Sequence, residues 1–146
     1  SSDLNQAEIQ DIVHRAIQEV PGVMGVNNHM GSHVTENHKI MRFILEVVQA
    51  HNLYFIDSRT TPRSVAYDVA RELNMPCARK DVFIDNTSDK SDIRKWLYAL
   101  ADLSQKKGVA IGIGHCHQGT LEVLREEVPK LQSKGFRFVT LSEIVK

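Results

Sequence analysis

A parallel α/β sheet with crossover helices is the fold this sequence predicts, and three observations predict it. Short apolar runs alternate with amphipathic helical patterns about five times along the chain. One run, residues 108–114, is apolar on both faces, as a central parallel strand requires. His, Asp and Asn follow directly on the runs, which is how a parallel sheet delivers polar side chains to the carboxyl end of its strands, where ligands bind.

The elements follow in order. Leu4, Ile9, Ile12, Val13, Ala16, Ile17 and Val20 recur at helical spacing, with Asp3 as a cap and Pro21-Gly22 as a stop, so residues 1–20 read as an amphipathic helix. Residues 22–28 are the first strand. Thr35-Glu36-Asn37-His38 opens a helix with Ile40, Met41, Ile44, Leu45, Val47 and Val48 inward, ending near His51-Asn52. The compact run 53–57 is a strand closed by Asp57. A polar loop, Ser58-Arg59-Thr60-Thr61-Pro62, leads to a helix with Pro62 near its first turn and Val65, Val69, Ala70 and Leu73 buried. A strand at 77–79 or 82–84 precedes Asp85-Asn86-Thr87-Ser88. Ile93, Trp96, Leu97, Leu100 and Leu103 mark the next helix, with Trp96 in the core. After the 108–114 strand come His115-Cys116-His117, then a helix with Leu121, Leu124, Val128 and Leu131 inward, capped by Gly135. Residues 136–139 read as a last strand and 141–146 as a short helix.

Length and composition bound the function. At 146 residues the chain is the size of one domain, 1–146, with one core. Lysine plus arginine equals aspartate plus glutamate, 18 each, so no overall field draws in nucleic acid or an anionic membrane. No apolar run approaches the roughly 20 residues needed to cross a bilayer, and the N-terminus is too polar for a signal peptide. Cys77 and Cys116 support neither a disulfide framework nor a thiolate zinc knuckle.

The strand-end residues suggest metal chemistry. His29 and His33 are four residues apart: on a helix the two rings share a face, and in a loop they curl round one ion. Two solvated loop histidines would show the same spacing. Imidazoles from two strands with a carboxylate from a third make a three-ligand site with an open position, able to activate water and polarise an ester or amide carbonyl. His29 and His115, each ending a strand, are the best ligands, and His33 is next. Asp57 could be ligand, general base or partner to a histidine, or could cap the following helix. For Asp85 capping is the simpler role. Arg59 could hold a substrate oxygen or pair with Asp57. His117 should point away from His115 if the strand continues, and His14, His38 and His51 read as solvated helix residues.

The runs Gly25-Val26-Asn27-Asn28-His29-Met30-Gly31-Ser32, Phe55-Ile56-Asp57-Ser58-Arg59-Thr60, Asp81-Val82-Phe83-Ile84-Asp85-Asn86 and Ile111-Gly112-Ile113-Gly114-His115, with Thr120-Leu121-Glu122-Val123-Leu124 after them, resemble the divergent polysaccharide deacetylase family over nearly the whole chain. The resemblance implies a distorted, TIM-like (β/α) barrel and a hydrolase that removes acetyl groups from N-acetylated carbohydrate with a divalent metal, zinc first among them. It implies metal ligands at His29, His33 and His115, catalytic roles for His115 as general acid and Asp57, and substrate contacts at Asn28, Arg59 and Asp85. It also implies a carbohydrate partner and a periplasmic or cell-surface setting, on cell-wall glycans.

One departure stands out. Family members begin with an apolar strand ending in Asp-Asp, and here the early aspartates, Asp3 and Asp11, lie in helical context. The expectation is the C-terminal portion of the family domain: an open, incomplete barrel of about five strands, with sheet edges that a second copy of the chain could cover. The alternative function is a non-catalytic module that keeps the fold to bind glycan or a partner.

Overall fold

The computed structural model describes residues 4–145. Asp3, expected to cap the first helix, lies outside them, as does Lys146. The chain divides into two compact units, one running to Arg79 and taking up the segment from Leu141 onward, the other spanning Lys80–Thr140. Strands are parallel throughout, and they form an α/β fold of two small sheets with no closed barrel among the described residues.

In the first unit α1 (Gln6–Gln18) starts at Asn5, whose side chain accepts from Glu8 N–H while the Glu8 carboxylate accepts from Asn5 N–H. That reciprocal capping box satisfies two otherwise orphaned helix-end donors. Three strands follow, β1 (Gly25–Asn27), β2 (Tyr54–Asp57) and β3 (Cys77–Arg79), in the spatial order β1-β2-β3. The helix expected to begin at Thr35 is two helices, α2 (Ser32–Thr35) and α3 (His38–Ala50), because the Asn37 side chain caps Ile40 N–H and starts a new helix. Helix α4 (Ala66–Glu72) starts later than expected: Pro62 stays in the loop, and Val65 N–H donates to Thr35 O at 2.8 Å. Met41, Leu45, Val48, Phe55, Val69 and Met75 are at the centre of the core. The short α7 (Leu141–Ile144) belongs to this unit.

The second unit holds β4 (Val82–Phe83), α5 (Lys90–Lys107), β5 (Gly112–Ile113) and α6 (Gln118–Ser133). Both strand positions weighed for residues 77–84 are therefore occupied, one in each unit. Residues 136–139, expected as a strand, carry no sheet pairing among the described residues. Ile93, Leu97, Ala101, Val123 and Leu131 pack α5 on α6. Two expected core residues lie on the surface instead: Trp96 is 41% and Leu121 49% exposed, because Ile93-Leu97-Ala101 and Thr120-Val123-Glu127-Leu131 set the inward faces of these helices.

Glu127 is the unexpected member of that seam. It is 3% exposed and accepts from Tyr98 Oη at 2.7 Å, Arg94 Nε at 2.9 Å and Lys130 Nζ at 3.2 Å. The Tyr98 hydrogen bond, with those from Arg94 and Lys130, outweighs desolvation and brings the carboxyl from its ordinary 4.5 down to about 2. A depressed folded-state pKa stabilises the fold above the unfolded-state value, and this stability is lost as pH falls through the folded value.

Stability in urea, read from the fluorescence of Trp96, is therefore expected to fall as pH drops from about 4.5 towards about 2. Glu127→Gln should be less stable at pH 7 and should lose less across the same window. In the first unit Gly25 lies under the Tyr54 ring, where a Cβ would collide with the ring carbons. Gly25→Ala is expected to destabilise the fold by about 1–3 kcal/mol, read as a lower urea midpoint at unchanged slope.

Candidate functional site

In the first unit β1 and β2 pair with Asn27 opposite Ile56, so the loops that leave the two strands begin side by side. Side chains then lock loop to loop. Asn27 Nδ2 donates to Ser58 Oγ at 3.0 Å, and Ser58 N–H donates to Asn28 Oδ1 at 2.8 Å. That second bond fixes the Asn28 amide, and its enclosed Nδ2 has no acceptor among the described residues. An enclosed N–H of this kind costs about 1–3 kcal/mol unless an oxygen reaches it.

Asp57 is fully buried. Its Oδ1 accepts from Arg59 N–H at 2.8 Å, and its Oδ2 accepts from Ser64 Oγ at 2.9 Å and Tyr67 N–H at 3.2 Å. Tyr67 lies in the first turn of α4, so the carboxylate caps that helix while it shapes the loop. Arg59 occupies the left-handed region (φ 46°), and its Nη2 donates to Pro62 O at 3.1 Å. Met30 (φ 56°) and Gly31 (φ 72°) turn the neighbouring loop between His29 and His33. Both histidines are exposed, His33 on α2 near Glu36. A hydrogen bond from Thr61 holds the Glu36 carboxyl low, against desolvation, and the Arg63 and His33 charges add to it.

In the second unit the parallel pairing of Phe83 with Ile113 brings Asp85 to His115. Asp85, 1% exposed in its side chain, accepts from His115 N–H at 2.6 Å and from Thr120 Oγ1 at 2.8 Å through Oδ2, and from His115 Nδ1 at 2.9 Å through Oδ1. Burial by itself would raise the Asp85 carboxyl. The hydrogen bonds from the His115 backbone and ring and from Thr120 prevail and hold it below the ordinary carboxylate range. With Oδ1 accepting, the imidazole proton sits on Nδ1 and the basic lone pair on Nε2. Phe83 stacks on the same ring (centroids 6.3 Å apart, planes at 19°), and His117 stacks at 5.7 Å.

Several expectations change here. Asp85 does not cap the next helix: Asp89 does, accepting from Ser91 and Asp92 N–H, which releases Asp85 to orient His115. His117 does not point away from His115: the two rings stack at 5.7 Å, and residues two apart on an extended chain share a face in any case. His14 is exposed and His51 half-buried, and the two rings face each other. Ser58, Ser64 and Thr120 hold the loops in place, roles that nothing local in the sequence marks. Thr120 lies 35 residues from the carboxylate it serves, and only the fold closes that distance.

Among the described residues no group of three or more His, Cys, Asp or Glu side chains is placed to hold a metal ion. The ligands expected of such a centre are divided between the units, His29 and His33 in the first and His115 in the second. The enclosed Asn28 Nδ2 calls for an oxygen acceptor, and an amide nitrogen is no metal ligand. Asp85→Asn should reverse the His115 tautomer, since an amide nitrogen in place of one oxygen donates where the carboxylate accepted. Long-range proton–nitrogen NMR of the His115 ring would check this, and an unchanged Nδ1–H would contradict it.

The model of the divergent polysaccharide deacetylase family matches residues 1–145. The uncharacterized protein YibQ of Escherichia coli (strain K12) is 34% identical over 129 residues, 88% of this chain and 40% of its own. An uncharacterized protein of Haemophilus influenzae is 33% identical over 122 residues, 84% of this chain and 44% of its own. The chain thus spans less than half the length of these curated relatives. The crystal structure of the uncharacterized protein ATU2773 from Agrobacterium tumefaciens C58 superposes with a TM-score of 0.94 at 19% identity, covering 98% of this chain and 58% of that one. With the family model matched over residues 1–145, the chain belongs to the divergent polysaccharide deacetylase family.

Proposed function

We propose that this chain carries the acid–base part of a hydrolase that removes acetyl groups from N-acetylated carbohydrate. The observation that carries the reading is the Asp85–His115 pair. A buried carboxylate sets the tautomer and plane of a half-exposed imidazole, the arrangement a general acid–base histidine needs. In amide hydrolysis water adds to the acyl carbon, the C–N bond breaks, and the amine leaves with a proton. His115 Nε2 takes a proton from the attacking water and passes it to the departing amine, and Asp85 stabilises the imidazolium formed in between. Asp85 is here a positioning residue. Asn28 offers a donor for a ligand oxygen, and Asp57 acts through the loop it folds. The divalent ion that such deacetylases use would take His29 or His33 among its ligands.

One second reading is a module that binds glycan without cleaving it, which the enclosed Asn28 Nδ2, a donor for a ligand oxygen, would serve equally. Acetyl release from N-acetylated oligosaccharides, measured on this chain and on a full-length relative, separates the two. Turnover that falls by about 10²–10⁴ in His115→Gln is the expected result. Glycan binding with no acetyl release from either protein would establish the binding module instead.

A further inference from the structure

We propose that His14 and His51 form a two-imidazole site for a borderline transition-metal dication, of the copper, nickel or zinc class, that clips α1 to the carboxyl end of α3. The two residues are 37 positions apart, yet His14 Nδ1 and His51 Nε2 stand 2.8 Å from each other. The ring centroids are 4.8 Å apart with the planes at 38°. That separation exceeds the N···N distance by slightly less than the two ring radii together, so the two nitrogens lie on facing edges of the rings without standing quite in line.

Only one proton fits in such a gap. One imidazole donates and the other accepts. If the donating ring moves its proton to its outward nitrogen, both inward nitrogens present lone pairs, the form in which imidazole binds a metal. No net proton is released by that change. Metal–nitrogen bonds of about 2.0–2.1 Å set two ligand nitrogens of one ion about 3.0–3.4 Å apart. The pair therefore needs to open by about half an ångström, which an exposed His14 and a half-buried His51 permit.

A second feature favours a cation at this place. His51 is the C-cap of α3, and the last turn of that helix contains no basic residue. The carbonyl end of the helix dipole is thus left without a side-chain cation. Two imidazoles and water make a site of moderate affinity, with copper preferred over nickel and zinc by intrinsic binding strength. It shares no residue with the expected centre at His29, His33 and His115, and it does not depend on the proposed hydrolysis.

The test uses tag-free, chelator-treated protein titrated with nickel or zinc chloride and followed by equilibrium dialysis and by the ring-nitrogen NMR signals of His14 and His51. Saturable binding that moves both sets of signals is expected. His14→Ala and His51→Ala should each weaken binding by about tenfold or more, whereas His29→Ala and His33→Ala should leave those signals responsive. His51→Gln, which keeps the side-chain volume, guards against a folding artefact, with circular dichroism as the check. Binding unchanged in both alanine variants, or no saturable binding up to about 1 mM metal, overturns the proposal.

Discussion

The structure depends on burying a carboxylate at or just beyond the end of a parallel strand. Asp57 at the end of β2 and Asp85 just beyond β4 are both almost wholly enclosed, and each accepts three hydrogen bonds from chain that arrives later. An enclosed charge without partners would cost several kcal/mol, so the chain around each aspartate can adopt few other shapes. The donors decide what each carboxylate does. Backbone N–H groups and a serine make Asp57 a loop organiser, and an imidazole makes Asp85 the partner of His115.

The same logic accounts for how the loop that carries His29 is anchored. Asn27, Asn28 and Ser58 cross-link the chain beyond β1 to the chain beyond β2, and the left-handed residues Met30 and Arg59 sit at the two turns. Non-glycine residues in that region are strained, and such strain persists where surrounding bonds over-determine the backbone. The network supplies those bonds. In the second unit Glu127 plays an equivalent part between helices, spending a buried charge on Tyr98, Arg94 and Lys130 to fix α5 against α6.

Much of this was legible in the sequence, and what failed did so for identifiable reasons. The strand–helix rhythm, the parallel class and the family resemblance rest on local periodicity and on strings of adjacent residues, which any reader of the chain sees. Trp96 and Leu121 were assigned to the core because each fits a helical stripe, yet a helix has several overlapping stripes and packing selects one. The strand expected at 136–139 has the right composition and no neighbour to pair with among the described residues. Asp85 was read as a cap because aspartate before a helix usually is one, and Asp89, four residues on, took that place.

By itself the sequence determined the α/β class, the parallel order, the positions of Asn28, His29, Asp57, Asp85 and His115 at strand ends, and the family. These follow from alternation along the chain, a property of neighbours. The tertiary structure alone decided that Asp85 orients His115, that Asp57 folds its own loop, that Thr120 and Ser58 belong to the site, and that His14 meets His51. Each is a contact between residues distant in the chain, and its existence depends on strand register and helix rotation, which no local pattern specifies.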